Sequence, residues 1–288
     1  MSVCRRLAAL MVSTAVAARP AAAQHAHQPM PPDTTATVLT FVARAREATR
    51  RYQDRSIAVA DGYRRLGPEF PGMGEHWINL GPLVSAGFDA ASPAVLTYAT
   101  VAGRPQLVGV AYALPLLAGE SPPAFPSSAA WHDHTGTIDD EVAALVHGTD
   151  DRGAGGRIAM LHAWIWLANA DGIFATNNWA LPYVRAGLVP PVRPDSLAAK
   201  ALSLLTGGER HYLQVFVRAS RAGAADSIAI ETAIAGARDA VRQMCDESKA
   251  PPSPERLRAV WEEMEGALTR SINPEARARL AARRLPPQ

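Results

Sequence analysis

The chain has 288 residues, 48% of them hydrophobic, and balances 29 basic against 27 acidic side chains for a formal charge of +2 at pH 7. A charge so close to zero, with no basic stripe interleaved with aromatics ahead of the C-terminal tail, excludes the electrostatic footprint of a nucleic-acid partner. The apolar content suffices for a core, buried as one large domain or two smaller ones.

Arg5 and Arg6 precede an apolar run from Leu7 to Ala18, and Ala21-Ala22-Ala23 supplies small residues before Gln24. This pattern predicts a secretory signal peptide over 1–23, and hence a periplasmic or secreted protein. The run is too short for a membrane anchor, which needs about 20 residues. Cleavage would remove three arginines and no acid, turning the charge from +2 to −1. It would leave Cys245 as the one cysteine, so no intrachain disulfide is expected of the cleaved form. No later apolar run reaches spanning length, so no membrane span is expected after cleavage.

Residues 24–32, rich in Gln, His and Pro, read as a disordered leader remnant. From Thr35, the spacing of Val38, Phe41, Val42, Ala45, Tyr52, Val59, Tyr63 and Leu66 predicts a long amphipathic helix, with a break available at Asp54 and Ser56 and an end at Gly67-Pro68. The glycines and prolines of residues 68–93 predict an ordered but irregular loop. Val95–Val101 and Gln106–Leu114, joined by Ala102-Gly103-Arg104-Pro105, predict a β-hairpin. A short helix is expected over 137–147 and a further strand over Arg157–Leu167. In that strand Ala159, Leu161, Ala163, Ile165 and Leu167 share one face, turned toward helix; Met160, His162, Trp164 and Trp166 share the other.

The proline-dense joint Val189-Pro190-Pro191-Val192-Arg193-Pro194 marks a boundary, beyond which apolar stripes at helical spacing continue to the C-terminus. The expected fold is α+β: a small, mainly antiparallel sheet with a long N-terminal helix in residues 33–189, followed by a helical C-terminal region over 190–288.

Four of the eight histidines fall in these unusual segments: His76, His132, His134 and His162. Imidazole is the commonest protein ligand for divalent transition metals, and the one-residue spacing of His132 and His134 puts both rings on one face of an extended backbone. Gathered at one point, the four would make a nitrogen site without thiolate, suited to zinc, copper or iron. With three ligands and a water, Glu75 or Asp133 could serve as general base for hydrolysis or oxidation. A periplasmic small-molecule binding or interaction module without metal is the alternative, using Trp77, Trp131, Trp164 and Trp166 as a stacking cleft. The Gln24-His25-Ala26-His27 segment could collect metal as well. No G-x-S-x-G elbow, H-E-x-x-H helix or dinucleotide loop is present.

The strings Asp61-Gly62-Tyr63, Gly72-Met73-Gly74-Glu75-His76-Trp77-Ile78-Asn79, Leu107-Val108-Gly109-Val110-Ala111-Tyr112 and Leu161-His162-Ala163-Trp164 resemble a group of exported bacterial proteins of unassigned function with a G-M-G-x-H-x-x-N loop, an L-V-G-V-x-Y strand and an L-H-x-W strand. The resemblance covers about residues 35–185. It implies that His76 and His162 occupy two family motifs, and it implies no mechanism.

Overall fold

The computed structural model describes residues 36–85, 87–135, 142–143, 145–148, 155–247 and 252–282. The segments expected as a signal peptide (1–23) and as a leader remnant with His25 and His27 (24–32), and most of the helix expected over 137–147, lie outside the described residues.

The α+β class is as expected, with a curled, antiparallel six-stranded sheet. Helix α1 (Ala36–Thr49) buries Val38, Phe41, Val42 and Ala45. A 3-10 turn then leads to α2 (Arg55–Ala60), whose start is capped by the Asp54 carboxylate accepting from the Ser56 amide at 2.9 Å. The break therefore falls where a capping residue allows one. The helix does not run on to Leu66: Tyr63 and Leu66 stand at and in β1 (Arg64–Phe70), the first strand of the sheet.

Strand β2 (Gly74–Ile78), helix α3 (Leu80–Val84), β3 (Val95–Val101), β4 (Arg104–Leu116), β5 (His132–Thr135) and β6 (Arg157–Ala163) follow, in the sheet order β1-β2-β3-β4-β6-β5. The expected irregular loop thus holds a strand pair and a short helix. Pro68 is tolerated because β1 is an edge strand, where a missing N–H breaks no ladder. Gly74 makes the return possible: it sits at φ +78°, and a Cβ there would meet the Tyr98 carbonyl at 2.6 Å.

One face of the sheet carries Leu96, Val110, Tyr112, Leu114, Ala159, Leu161 and Ala163, packed in one cluster with Val38, Phe41, Val42 and Ala45 of α1. The other carries Val95, Ala111 and Ala113, partly covered by Leu83 of α3. The alternation read from the sequence holds through Ile165, which joins the α1-side cluster while Trp164 stacks on His162, and fails at Trp166. Strand β6 ends at Ala163, and the Trp166 indole turns back to donate to Thr49 Oγ1 at 3.2 Å on the α1 side.

Helices α4 (Leu181–Ala186), α5 (Ser196–Ser203), α6 (Gly208–Ser220), α7 (Ala224–Glu247), α8 (Pro254–Ser271) and α9 (Pro274–Ala282) complete the chain. Their core gathers Leu202, Tyr212, Ile230, Val241, Leu257, Trp261 and Leu268. It also takes Tyr183 and Ala186 from the near side of the proline-dense joint. Asp195 caps α5 by accepting from the Ala198 amide at 2.8 Å and also pairs with Arg258 of α8. Asp195→Ala should cost about 1–2 kcal/mol, read as a lower urea midpoint with an unchanged denaturant slope.

The sheet and the helical region are joined by a buried ion pair, Arg185 Nη2 to Glu69 Oε2 at 2.8 Å. Burial lifts the Glu69 carboxyl to about 7; the Arg185 charge opposes the rise and Glu75 adds to it. Cys245, buried on α7, is not a free thiol. The expectation that Cys245 is the one cysteine concerned the cleaved form; Cys4 lies outside the described residues. Among the described residues no helix is long and apolar enough to cross a membrane.

Candidate metal centre

Pairing register puts the four histidines on one face. His76 of β2 lies opposite Thr97, Thr97 opposite Gly109, and two residues on Ala111 lies opposite His162 of β6. His132 of β5 is paired with Met160, two residues from His162. Since side chains alternate with period two, all these positions share a face.

Curvature then does what register alone cannot. In a flat sheet the three strand steps from β2 to β6 would span about 14 Å, yet the His76 and His162 ring centroids stand 5.6 Å apart. The histidine face is therefore concave. The strands between offer only small groups there, Thr97, Gly109 and Ala111, and register shifts at Thr97/Tyr98 and Leu66/Phe70 add local bending. At Gly109 a Cβ would meet the Ala163 carbonyl at 3.0 Å and Trp164 Cε3 at 3.3 Å. Gly109→Ala should cost about 1–3 kcal/mol through this overpacking. It should also displace Trp164, whose ring stacks on His162 at 6.2 Å; urea unfolding and the His162 ring resonances check both effects.

The rings form a chain. His162 stacks on His132 at 5.3 Å, and His132 meets His134 at 5.2 Å. Within that last pair the two Nε2 atoms are 3.3 Å apart. That separation is long for an N–H···N hydrogen bond. It equals the edge, about 3.3–3.4 Å, of a tetrahedron whose nitrogens lie 2.0–2.1 Å from a central zinc.

His76 is 7% exposed and His162 2%. The ring nitrogens His76 Nδ1, His132 Nδ1 and His162 Nε2 are buried with no hydrogen-bond partner. His147 shows what an engaged histidine looks like here, with Nε2 3.0 Å from the Pro115 carbonyl.

Burial pushes His76 down to about 4; the nearby Gly74 backbone opposes this, and the charges of His134 and His132 reinforce it. Burial and then His134 lower His132 to about 4, against the pull of Asp133. His162 falls well below the ordinary range through burial and through His76, His132 and His134 together. These three rings are neutral at pH 7, the form that ligates metals.

The carboxylates expected as general bases do not join them. Each neighbours a histidine in a strand, so pleating sends it to the opposite face. Glu75, opposite Tyr98, lies near Arg55 and Arg65 at 3.6 Å each. Asp133, opposite Ala159, pairs with Arg157 at 3.0 Å.

Nor do the four tryptophans form one cleft. Trp164 lies beside His162, whereas Trp77, Trp131 and Trp166 pack into the α1 core cluster. Trp131 donates to the Phe125 carbonyl at 2.9 Å, and Trp77 carries Arg55 over its ring.

Two neighbours of the cluster were not singled out from sequence. The Thr97 hydroxyl, opposite His76, is buried without a partner. The Phe70 ring meets His76 edge-on at 5.3 Å. A polar residue inside the apolar run 95–101 was the only local signal for the first, and none marked the second.

As the rings stand, no group of three or more His, Cys, Asp or Glu among the described residues is arranged to hold a metal ion. The contacts are successive and pairwise. No family model, curated protein or solved structure matches this chain.

Proposed function

We propose that this protein is an exported metal-binding protein in which His76, His132, His134 and His162 hold one divalent transition ion: zinc, copper or iron. The observation that carries the reading is the continuous run of four imidazoles in which two Nε2 atoms stand 3.3 Å apart and three other ring nitrogens are buried without partners. Each unpaired nitrogen in a dry site costs on the order of 1–3 kcal/mol. A bound ion offsets that cost, since it takes the lone pairs of several rings at once.

Closing the set around an ion requires the buried rings to turn. Rotation about His χ2 is a soft motion, with a broad torsional preference. His134 is the exposed member, on the edge strand β5, and is the ligand most readily exchanged for water or an incoming molecule.

An all-imidazole set suits an ion that needs no charge neutralisation by thiolate or carboxylate. Four nitrogens saturate a tetrahedral ion, so storage, transfer or a structural role fits better than hydrolysis. Glu75 and Asp133, the carboxylates next to these histidines in sequence, lie on the far face and are not placed to activate a water.

The deciding measurement is elemental analysis of protein produced with zinc, copper and iron available, beside a His132→Ala, His134→Ala double variant altered only on the edge strand. About one ion per chain in the first, lost in the second, is the expected result. Folded wild-type protein without stoichiometric metal overturns the reading.

A further inference from the structure

A second concavity lies between the sheet and the helical region. It has a volume of about 500 Å³ and is lined by Pro68 and Phe70 of β1, by one side of α6, by Glu265 and Leu268 of α8, and by Leu280 of α9. The volume falls within the range of small-molecule sites, about 300–1,000 Å³.

Its polar groups are few and concentrated. His211, Gln214, Val215 and Arg218 recur at helical spacing and so share the face of α6 that borders the cleft. Over the seven residues from His211 to Arg218 the helix rises about 10 Å. The side chains of His211 and Gln214 make no hydrogen bond to any other described residue, although both border an otherwise apolar space. Burial lowers the basicity of His211, so its ring is a neutral donor and acceptor. Arg218 and Glu265 contribute one charge of each sign to the lining.

We propose that this cleft binds a small uncharged apolar molecule carrying one hydroxyl or carbonyl group, its apolar body against Phe70, Val215, Phe216 and Leu268 and its polar group against His211 and Gln214. An alkylphenol is the simplest compound of this kind. The site is distinct from the histidine cluster and does not depend on a metal there. It is separated from that cluster by one ring: Phe70 meets His211 edge-on at 5.3 Å on one side and His76 at 5.3 Å on the other. A molecule seated on Phe70 is therefore felt at His76.

The test is calorimetric titration of the full chain, metal-free, with 4-propylphenol, and with decanoate as a charged apolar control. One saturable site for the phenol is expected. His211→Ala should weaken it about tenfold, the worth of one hydrogen bond. Val215→Trp, at a position exposed enough to accept the larger ring, should abolish binding by filling the cleft. The His76 ring resonances of wild-type protein should shift with phenol occupancy. Absence of binding, equal binding to the Val215→Trp variant, tighter binding of decanoate, or unmoved His76 signals would each overturn the proposal.

Discussion

Zinc added in large excess over its dissociation constant should raise the melting temperature of the metal-free protein by about 10 °C, and His162→Ala should remove most of that rise. A ligand that binds only the folded state at about 1,000 times its dissociation constant adds about 4 kcal/mol of stability. For a domain of this size each kcal/mol moves the midpoint by about 2–4 °C. His162 is the sensitive position because it touches both sides of the site, stacking on His132 and meeting His76 edge-on. Truncation also leaves a cavity that lowers the metal-free midpoint, so the readout is the increment on adding zinc, scanned with and without chelator. His134→Ala, exposed on the edge strand, should shrink the increment while leaving the metal-free midpoint nearly unchanged. An increment that survives in every single-histidine variant is incompatible with a shared site.

Metal-free protein should lose stability steeply on acidification between about pH 6.5 and pH 4. The sign follows from the direction of the shifts. His76 and His132 titrate near 4 in the folded chain against 6.5 for the free group. Between those values the unfolded chain binds more protons than the folded one, so stability rises with pH and is lost as pH falls. For His76, 7% exposed, the shift corresponds to a loss on the order of 3 kcal/mol. His132 and His162 act in the same direction. Urea unfolding at pH 7, 5.5 and 4 measures the effect, and His76→Gln, which cannot titrate, should flatten the slope. A flat profile across this window would mean that the rings are hydrated or already protonated in the native state.

The Phe70 contact gives a means of separating the two sites. Phe70→Leu keeps an apolar wall but removes the ring that bridges His76 and His211. Phenol binding should weaken, zinc stoichiometry should stay at one, and the His76 resonances should cease to respond to phenol. Parallel titrations with phenol and zinc check all three outcomes.

Local chemistry was legible in the chain wherever one residue settles one conformation. Asp54 breaks the N-terminal helix because its carboxylate can cap the next one. Ala102 and Gly103 turn the hairpin with φ of 49° and 82°. Alternation over Ala159–Ala163 assigns the faces of β6 because pleating has period two. The stripes of Ile230, Ile234 and Val241 and of Leu257, Trp261 and Leu268 are buried as a 3.6-residue period requires. The errors arose where a local rule depends on a distant neighbour. Pro68 suits a strand because β1 stands at the edge of the sheet, with no described strand on its outer side, a fact of sheet order. Trp166 left its expected face because β6 ends at Ala163. Glu75 and Asp133 are adjacent to histidines in sequence, and that same adjacency in a strand points them away.

The sequence by itself determined the residue types of the candidate site, the strand that carries His162, and the shared face of His132 and His134, because each depends on spacing along one segment. Only the tertiary structure decided that His76 and His162 meet. Their strands lie three steps apart, and nothing in either segment encodes the curl that closes the distance. That curl depends on the small side chains of Thr97, Gly109 and Ala111 on the intervening strands, so it is a property of the assembled sheet.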